Sequence, residues 1–130
     1  MKICNCTNHK MTPGQISAGC ITPVNQQLIN DLISFQNPEE LSEMEQRADA
    51  LSRYVKDNGY DAALIGGAPY FQPYLEEALF QYGLKAVYAF SQRVSEERMK
   101  ENGEVEKVSV FKSNTLLVKN PDRSIELITM

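Results

Sequence analysis

Apolar residues recur at three- and four-residue steps through Leu41, Met44, Ala48, Leu51 and Val55, which places them on one stripe of a helix. Asn37 is suited to the N-cap, Pro38 to the first helical position and Glu40 to the capping-box carboxylate, while Gly59 supplies a left-handed stop. The spacing predicts a helix over 37–58. Ala62-Ala63-Leu64-Ile65 follows as an apolar run without alternation, the pattern of a strand buried on both faces, and Gly66-Gly67-Ala68-Pro69 ends it. Phe71, Leu75, Ala78, Leu79 and Tyr82 mark a second helix over 70–82, closed by Gly83, and Lys85 to Phe90 reads as the next strand. A strand, a helix and a strand in this order predict a right-handed crossover between parallel strands.

The flanks are less regular. Lys2 to Thr7 reads as a first strand ending in the polar cluster Asn8-His9-Lys10, and Thr12-Pro13 opens a short helix that Gly19 stops. Between Ile21 and Phe35 two patterns compete: a strand at Ile21-Thr22-Pro23-Val24, and a helix face made by Leu28, Ile29, Leu32, Ile33 and Phe35. Ser91 to Glu101 is polar and charged, Asn102-Gly103 is a hairpin dipeptide, and Val105 to Phe111 alternates. Asn120-Pro121-Asp122 turns the chain between Leu116-Leu117-Val118 and Ile125-Glu126-Leu127-Ile128. The expected fold is a single α/β domain over 1–130. It is Rossmann-like, with a mainly parallel sheet, helices on both faces and an antiparallel C-terminal hairpin extension.

Composition narrows the function classes. A chain of 130 residues with 42% hydrophobic and 23% charged residues is long enough for a globular core and short for two domains. Thirteen basic against 17 acidic residues, a net charge of -4, weigh against duplex nucleic acid or an anionic membrane as partner. A local pocket for a small anion is compatible with that balance. The first residues carry no apolar signal-peptide core, and no apolar run approaches the roughly 20 residues of a membrane span. Three cysteines, an odd number, fit a reducing environment, so a cytoplasmic location is expected.

Parallel sheets bind ligands beyond the carboxyl ends of their strands. Three segments are expected at that edge: Asn8-His9-Lys10 with Thr12 and Gln15, the Gly66-Gly67 turn, and Ser91-Gln92-Arg93. The only histidine, a glycine turn into a helix and a Ser/Arg pair suit a phosphate-bearing ligand or nucleotide. Each also has an ordinary reading: the glycines as backbone turn, His9 as a surface residue, Arg93 as a solvated charge. Cys4, Cys6, His9 and Cys20 can be written as a zinc set, but a C-x-C pair on a buried strand reads as core packing and no C-x2-C knuckle is present, so neither metal nor cofactor is expected. Glu39-Glu40, Glu76-Glu77 and Glu96-Glu97 read as solvated faces rather than acid/base pairs.

The sequence N-H-x-x-T-x-x-Q, carried by Asn8, His9, Thr12 and Gln15 directly after the first strand, resembles the opening of small stand-alone CRISPR-associated Rossmann-fold (CARF-like) proteins of the ring-nuclease type. The resemblance covers about eight residues together with chain length and the α/β order. It implies binding of a cyclic oligoadenylate, and metal-independent ring cleavage in which the substrate's ribose 2′-hydroxyl is the nucleophile. His9 would then act as general acid or base and Arg93 would stabilise phosphoryl charge, with Asn8, Thr12 and Gln15 in contact with the ligand. Gly66, Gly67 and Ser91 are expected as ligand contacts from their place at the sheet edge, outside the resemblance. Two other readings stay open: a non-enzymatic interaction module, and a small-molecule hydrolase or transferase. The C-terminal hairpin and its strand edges offer surface for a homodimer.

Overall fold

The computed structural model describes residues 1–37 and 40–130, with residues 91–93 and 111–114 described by their backbone alone. The chain builds β1 (Ile3–Cys6), α1 (Pro13–Ser17), β2 (Cys20–Ile21), α2 (Gln26–Ile33), α3 (Leu41–Asp57), β3 (Ala62–Ile65), α4 (Gln72–Gln81), β4 (Lys85–Met99), β5 (Val105–Lys119) and β6 (Ile125–Thr129). The six strands form one sheet in the order β2-β1-β3-β4-β5-β6. The first four strands pair in parallel, and β5 and β6 add antiparallel. This is a mixed α/β fold with a mainly parallel half and an antiparallel half.

Strands β1 and β3 occupy the middle of the parallel half, and all eight of their residues are buried, which is why neither sequence alternates. Register assigns the two faces. Cys4, Cys6, Ala63, Ile65 and Ala86 lie under α2, α3 and α4, packed against Ile29, Leu51, Val55, Leu75 and Leu79. Ile3, Ala62, Leu64, Val87, Leu116 and Val118 form the opposite cluster with Met11, Cys20, Ala18 and Met130 beside α1. The connection from β1 to β2 runs one way along the sheet and that from β3 to β4 runs the other. Crossovers of one hand therefore deliver α1 and α4 to opposite faces, and the strand order reverses between β1 and β3.

Several boundaries depart from the sequence expectation. The long helix starts at Leu41, because Glu40 is extended (φ -68°, ψ 156°) and its carbonyl accepts the first turn's N–H groups. Pro38, expected at the first helical position, lies outside the described residues. The competing patterns at 21–35 both contribute, as the two-residue β2 and then α2, whose N-cap Asn25 accepts a hydrogen bond from the Leu28 N–H at 3.2 Å. The largest departure is β4. It was expected to end at Phe90 and instead continues to Met99, paired throughout with β5, so Ser91 and Arg93 belong to a strand rather than to a loop. Among the described residues no helix is long and apolar enough to cross a membrane.

Candidate functional site

The loop that leaves β1 is tied from within. Asn5 faces away from Cys4 and Cys6 and is 2% exposed. Its side-chain oxygen accepts from the Thr7 N–H at 3.0 Å and the Thr7 hydroxyl at 2.6 Å, and its amide nitrogen donates to the His9 carbonyl at 2.9 Å. The Thr7 hydroxyl oxygen in turn accepts from the His9 N–H at 3.2 Å. A buried amide thus dictates the path of Asn8 and His9. Lys10 follows, Met11 plugs the core, and Thr12 caps α1.

Two clefts flank this loop. The larger, about 470 Å³, is lined by Thr7, His9, Lys10, Met11, Thr12 and Gln15 on one side and by Leu64, Ile65, Gly66, Gln72, Tyr88 and Ala89 on the other. It opens at the carboxyl ends of β1, β3 and the parallel part of β4, at the reversal of strand order, and its size suits a small ligand. The second, about 270 Å³, is lined by Asn5, Thr7, Asn8, His9, Lys10, Thr22, Gln26 and Asn30. Among the described residues neither cleft has a carboxylate in its lining. By contrast, the groove between α3 and α4 carries Glu45, Asp49 and Glu77. The His9 imidazole and the Lys10 ammonium are exposed, and neither has a hydrogen-bond or ion-pair partner among the described residues.

Of the expected site residues, His9, Thr12, Gln15 and Gly66 come together in the larger cleft, and Asn8 lies in the smaller one. Gly67 lies outside both linings; its φ of +102° makes it the turn residue leading towards α4. The side chains of Ser91 and Arg93 lie outside the described residues. Thr12 and Gln15 are engaged with each other: the Gln15 N–H donates to the Thr12 hydroxyl at 3.2 Å and the Thr12 N–H donates to Gln15 Oε1 at 3.0 Å. That reciprocal capping box builds α1 before either residue meets a ligand.

Thr7, Gln72 and Tyr88 line the larger cleft without an expected place at this edge, and Lys10 lines it without an assigned role. Lys10 was visible in the polar cluster, whereas Tyr88 in an apolar strand reads as core. Its hydroxyl donates to Glu76 on α4, a residue outside the cleft lining; Glu76 also accepts from the Lys119 ammonium at 2.6 Å. Burial, followed by the hydrogen bond to Glu76 and the charge of that carboxylate, pushes the Tyr88 phenol well above its ordinary pKa. Tyr88 is accordingly a neutral wall of the cleft.

The cysteines are core. Cys4 and Cys6 are fully buried with sulfurs 3.7 Å apart, and the contact between them, reinforced by burial, raises the Cys6 thiol pKa. Cys20 belongs to the cluster on the opposite face of the sheet, so the four residues of the zinc pattern do not converge. The acidic pairs are committed elsewhere: Glu76 as above, Glu77 to Arg123 at 2.8 Å, and Glu96 to Arg98 at 3.7 Å. Glu39 lies outside the described residues.

The model of the Uncharacterized protein MJ1673 family matches residues 1–115, and the chain belongs to that family. The match takes in every residue that lines the two clefts and stops short of β6. No curated protein and no solved structure matches the chain.

Proposed function

We propose that the paired clefts around His9 and Lys10 bind a phosphate-bearing ligand of nucleotide type, at the switch point of a Rossmann-like sheet. The observation that carries this reading is electrostatic. In a chain of net charge -4, the two clefts sharing His9 and Lys10 have linings free of carboxylates among the described residues, and the Lys10 ammonium is left without a counter-charge. A phosphate oxyanion is the partner such a lining lacks. The CARF-like resemblance of Asn8, His9, Thr12 and Gln15 makes the ligand a cyclic oligoadenylate, although the capping box accounts for part of that motif by local structure alone.

Ring cleavage would need little beyond positioning. A ribose 2′-hydroxyl attacks the adjacent phosphorus, the bond to the 5′-oxygen breaks, and a 2′,3′-cyclic phosphate forms on a linear product. His9 would take the 2′-hydroxyl proton or protonate the departing 5′-oxygen, and Lys10, with Arg93, would balance charge on the phosphoryl oxygens. The exposure of Phe90, Ile125 and Leu127 on the antiparallel half of the sheet favours a second reading, an interaction module without turnover.

The test is a thermal-shift panel of inorganic phosphate, mononucleotides and cyclic tri-, tetra- and hexa-adenylate, with product analysis of every hit. A ligand at 100 times its dissociation constant adds about 2.7 kcal/mol of stability. The expected result is a shift with one cyclic adenylate that Lys10→Ala weakens, and cleavage that His9→Ala abolishes while binding persists. A shift with simple phosphates alone removes the cyclic-adenylate assignment. No shift with any of these compounds overturns the phosphate reading and leaves the interaction module.

A further inference from the structure

Helix α2 carries two glutamine contacts of the same spacing in different surroundings. Gln27 donates to Asp31 at 2.8 Å on the exposed side, an ordinary pair one turn apart that steadies the helix. Gln26 donates to Asn30 Oδ1 at 2.9 Å, but both of these residues are half-buried and line the smaller cleft beside the β1 loop. Ile29 and Ile33 hold the helix to the core along the adjoining stripe. The Gln26 side-chain nitrogen also donates to the Thr7 carbonyl at 3.4 Å, which ties α2 to the end of β1.

The Thr7 carbonyl fixes the direction of both amides. A backbone carbonyl only accepts, so the end of Gln26 that meets it is the nitrogen. The same nitrogen then requires Asn30 to present its oxygen. What remains is the other half of each amide, Gln26 Oε1 as an acceptor and Asn30 Nδ2 as a donor. Neither atom has a partner among the described residues. Each lies within its own amide group from the 2.9 Å contact, so both fall within reach of one small ring system. The exposed side chains of Asn8 and Thr22 add further unengaged polar groups to the same lining.

We infer that the smaller cleft is a base subsite, where the edge of a nucleobase donates an N–H to Gln26 Oε1 and accepts a hydrogen bond from Asn30 Nδ2. This rests on the phosphate reading above: His9 and Lys10 line both clefts, so a phosphate held by them leaves the rest of a nucleotide at the mouth of the smaller one. The lining chooses the base over the other parts of such a ligand. Ribose hydroxyls are characteristically gripped by a carboxylate, and the smaller cleft has none among the described residues. An acyl chain finds no apolar side chain there either. Amides match the neighbouring donor and acceptor that every base edge presents. A volume of about 270 Å³ admits one ring system. A ligand that leaves the two free amide groups unpaired is bound less well, which makes the pair a selective element.

Calorimetric titration of the full chain with the four ribonucleoside 5′-monophosphates, cyclic tetra-adenylate and ribose 5-phosphate tests this. The wild type is expected to bind at least one base-bearing compound at least about tenfold tighter than ribose 5-phosphate. Gln26→Met and Asn30→Leu are uncharged and close in size to the residues they replace. Each should cut that advantage at least about fivefold and leave ribose 5-phosphate affinity unchanged. Gln27→Met loses the equivalent helix contact outside the cleft and should keep the full advantage. Circular dichroism establishes that each variant is folded, and two variants in the cleft guard against the collapse of either one. No advantage in the wild type overturns the inference, as does an advantage that survives both Gln26→Met and Asn30→Leu or that Gln27→Met removes equally. An equal loss for ribose 5-phosphate overturns it too, by putting the sugar in the cleft. In all of these the phosphate reading stands, because the phosphate compounds still bind. If none of them binds, the phosphate reading falls and the base subsite falls with it.

Discussion

Asn5 holds His9 in place from inside the core: its side-chain amide donates to the His9 carbonyl at 2.9 Å, while its oxygen accepts two hydrogen bonds from Thr7. The catalytic candidate therefore sits on a loop whose path is set by a residue that barely meets solvent.

Replacing Asn5 with Ala leaves the Thr7 N–H, the Thr7 hydroxyl and the His9 carbonyl without their partner. The expected cost is about 2 kcal/mol, the range for buried polar groups left unpaired. Urea denaturation measures it. Ligand affinity should fall further than stability does, because the loop carrying His9 and Lys10 loses its anchor. A variant with wild-type stability and wild-type binding would show that the loop holds its path without Asn5.

Thr12→Ala removes the N-cap of α1 and should cost about 1 kcal/mol, whereas Thr12→Ser, which keeps the hydroxyl, should cost much less. Gln15→Glu separates structure from binding at the same box. It preserves an acceptor for the Thr12 N–H but introduces a negative charge into the larger cleft, so it should lower anion affinity more than stability. Equal losses in both would mean that Gln15 only caps.

Legibility followed burial. β3 was readable because Ala62 to Ile65 are buried on both faces and cannot alternate. In the β4–β5 extension beyond Phe90 the Asn102-Gly103 turn and the alternation from Val105 were readable, but the outer part of β4 was not, because its pairing rests on cross-strand hydrogen bonds with little core beneath it, and polar residues such as Ser95, Glu97 and Arg98 read as loop. At the site, parallel topology was enough to bring His9 and Gly66 to one edge. Tyr88 and Asn5 were missed for opposite reasons: an aromatic in a strand reads as core, and one polar residue between two cysteines gives no periodic signal. Thr12 and Gln15 were noticed for their chemistry, yet they first serve each other.

Two glycines should respond differently to a methyl group. Gly19 has φ +111°, and an added Cβ would lie 2.4 Å from the Met1 carbonyl oxygen, while the Ile3 N–H donates to the Gly19 carbonyl at 3.0 Å. Gly67 has φ +102° with nothing within 4 Å of an added Cβ. Gly67→Ala should cost about 1–2 kcal/mol for its backbone conformation alone. Gly19→Ala should cost more, since the β1–β2 pairing must shift as well. Thermal melts of the two variants rank them, and the reverse order would refute the packing argument.

Tyr88 makes stability depend on alkaline pH. Its phenol sits above the ordinary value of 10.0 because burial and the Glu76 carboxylate disfavour the phenolate. The folded chain therefore keeps a proton that the unfolded chain gives up near pH 10. The stabilisation is fully present below that pH and is lost as pH rises towards the folded value, at no more than about 1.4 kcal/mol per pH unit. Tyr88→Phe lacks both the hydrogen bond and the titration. At pH 8 it should be less stable than the wild type by about 1.5–3 kcal/mol, the worth of a hydrogen bond to a charged acceptor. Between pH 10 and pH 11 that gap should shrink, because only the wild type carries the extra ionising group; the other five tyrosines and Lys119 are common to both proteins. Urea titrations of the pair across this range decide it, and a gap that stays constant would mean that the phenol ionises as readily in the folded chain as in the unfolded one.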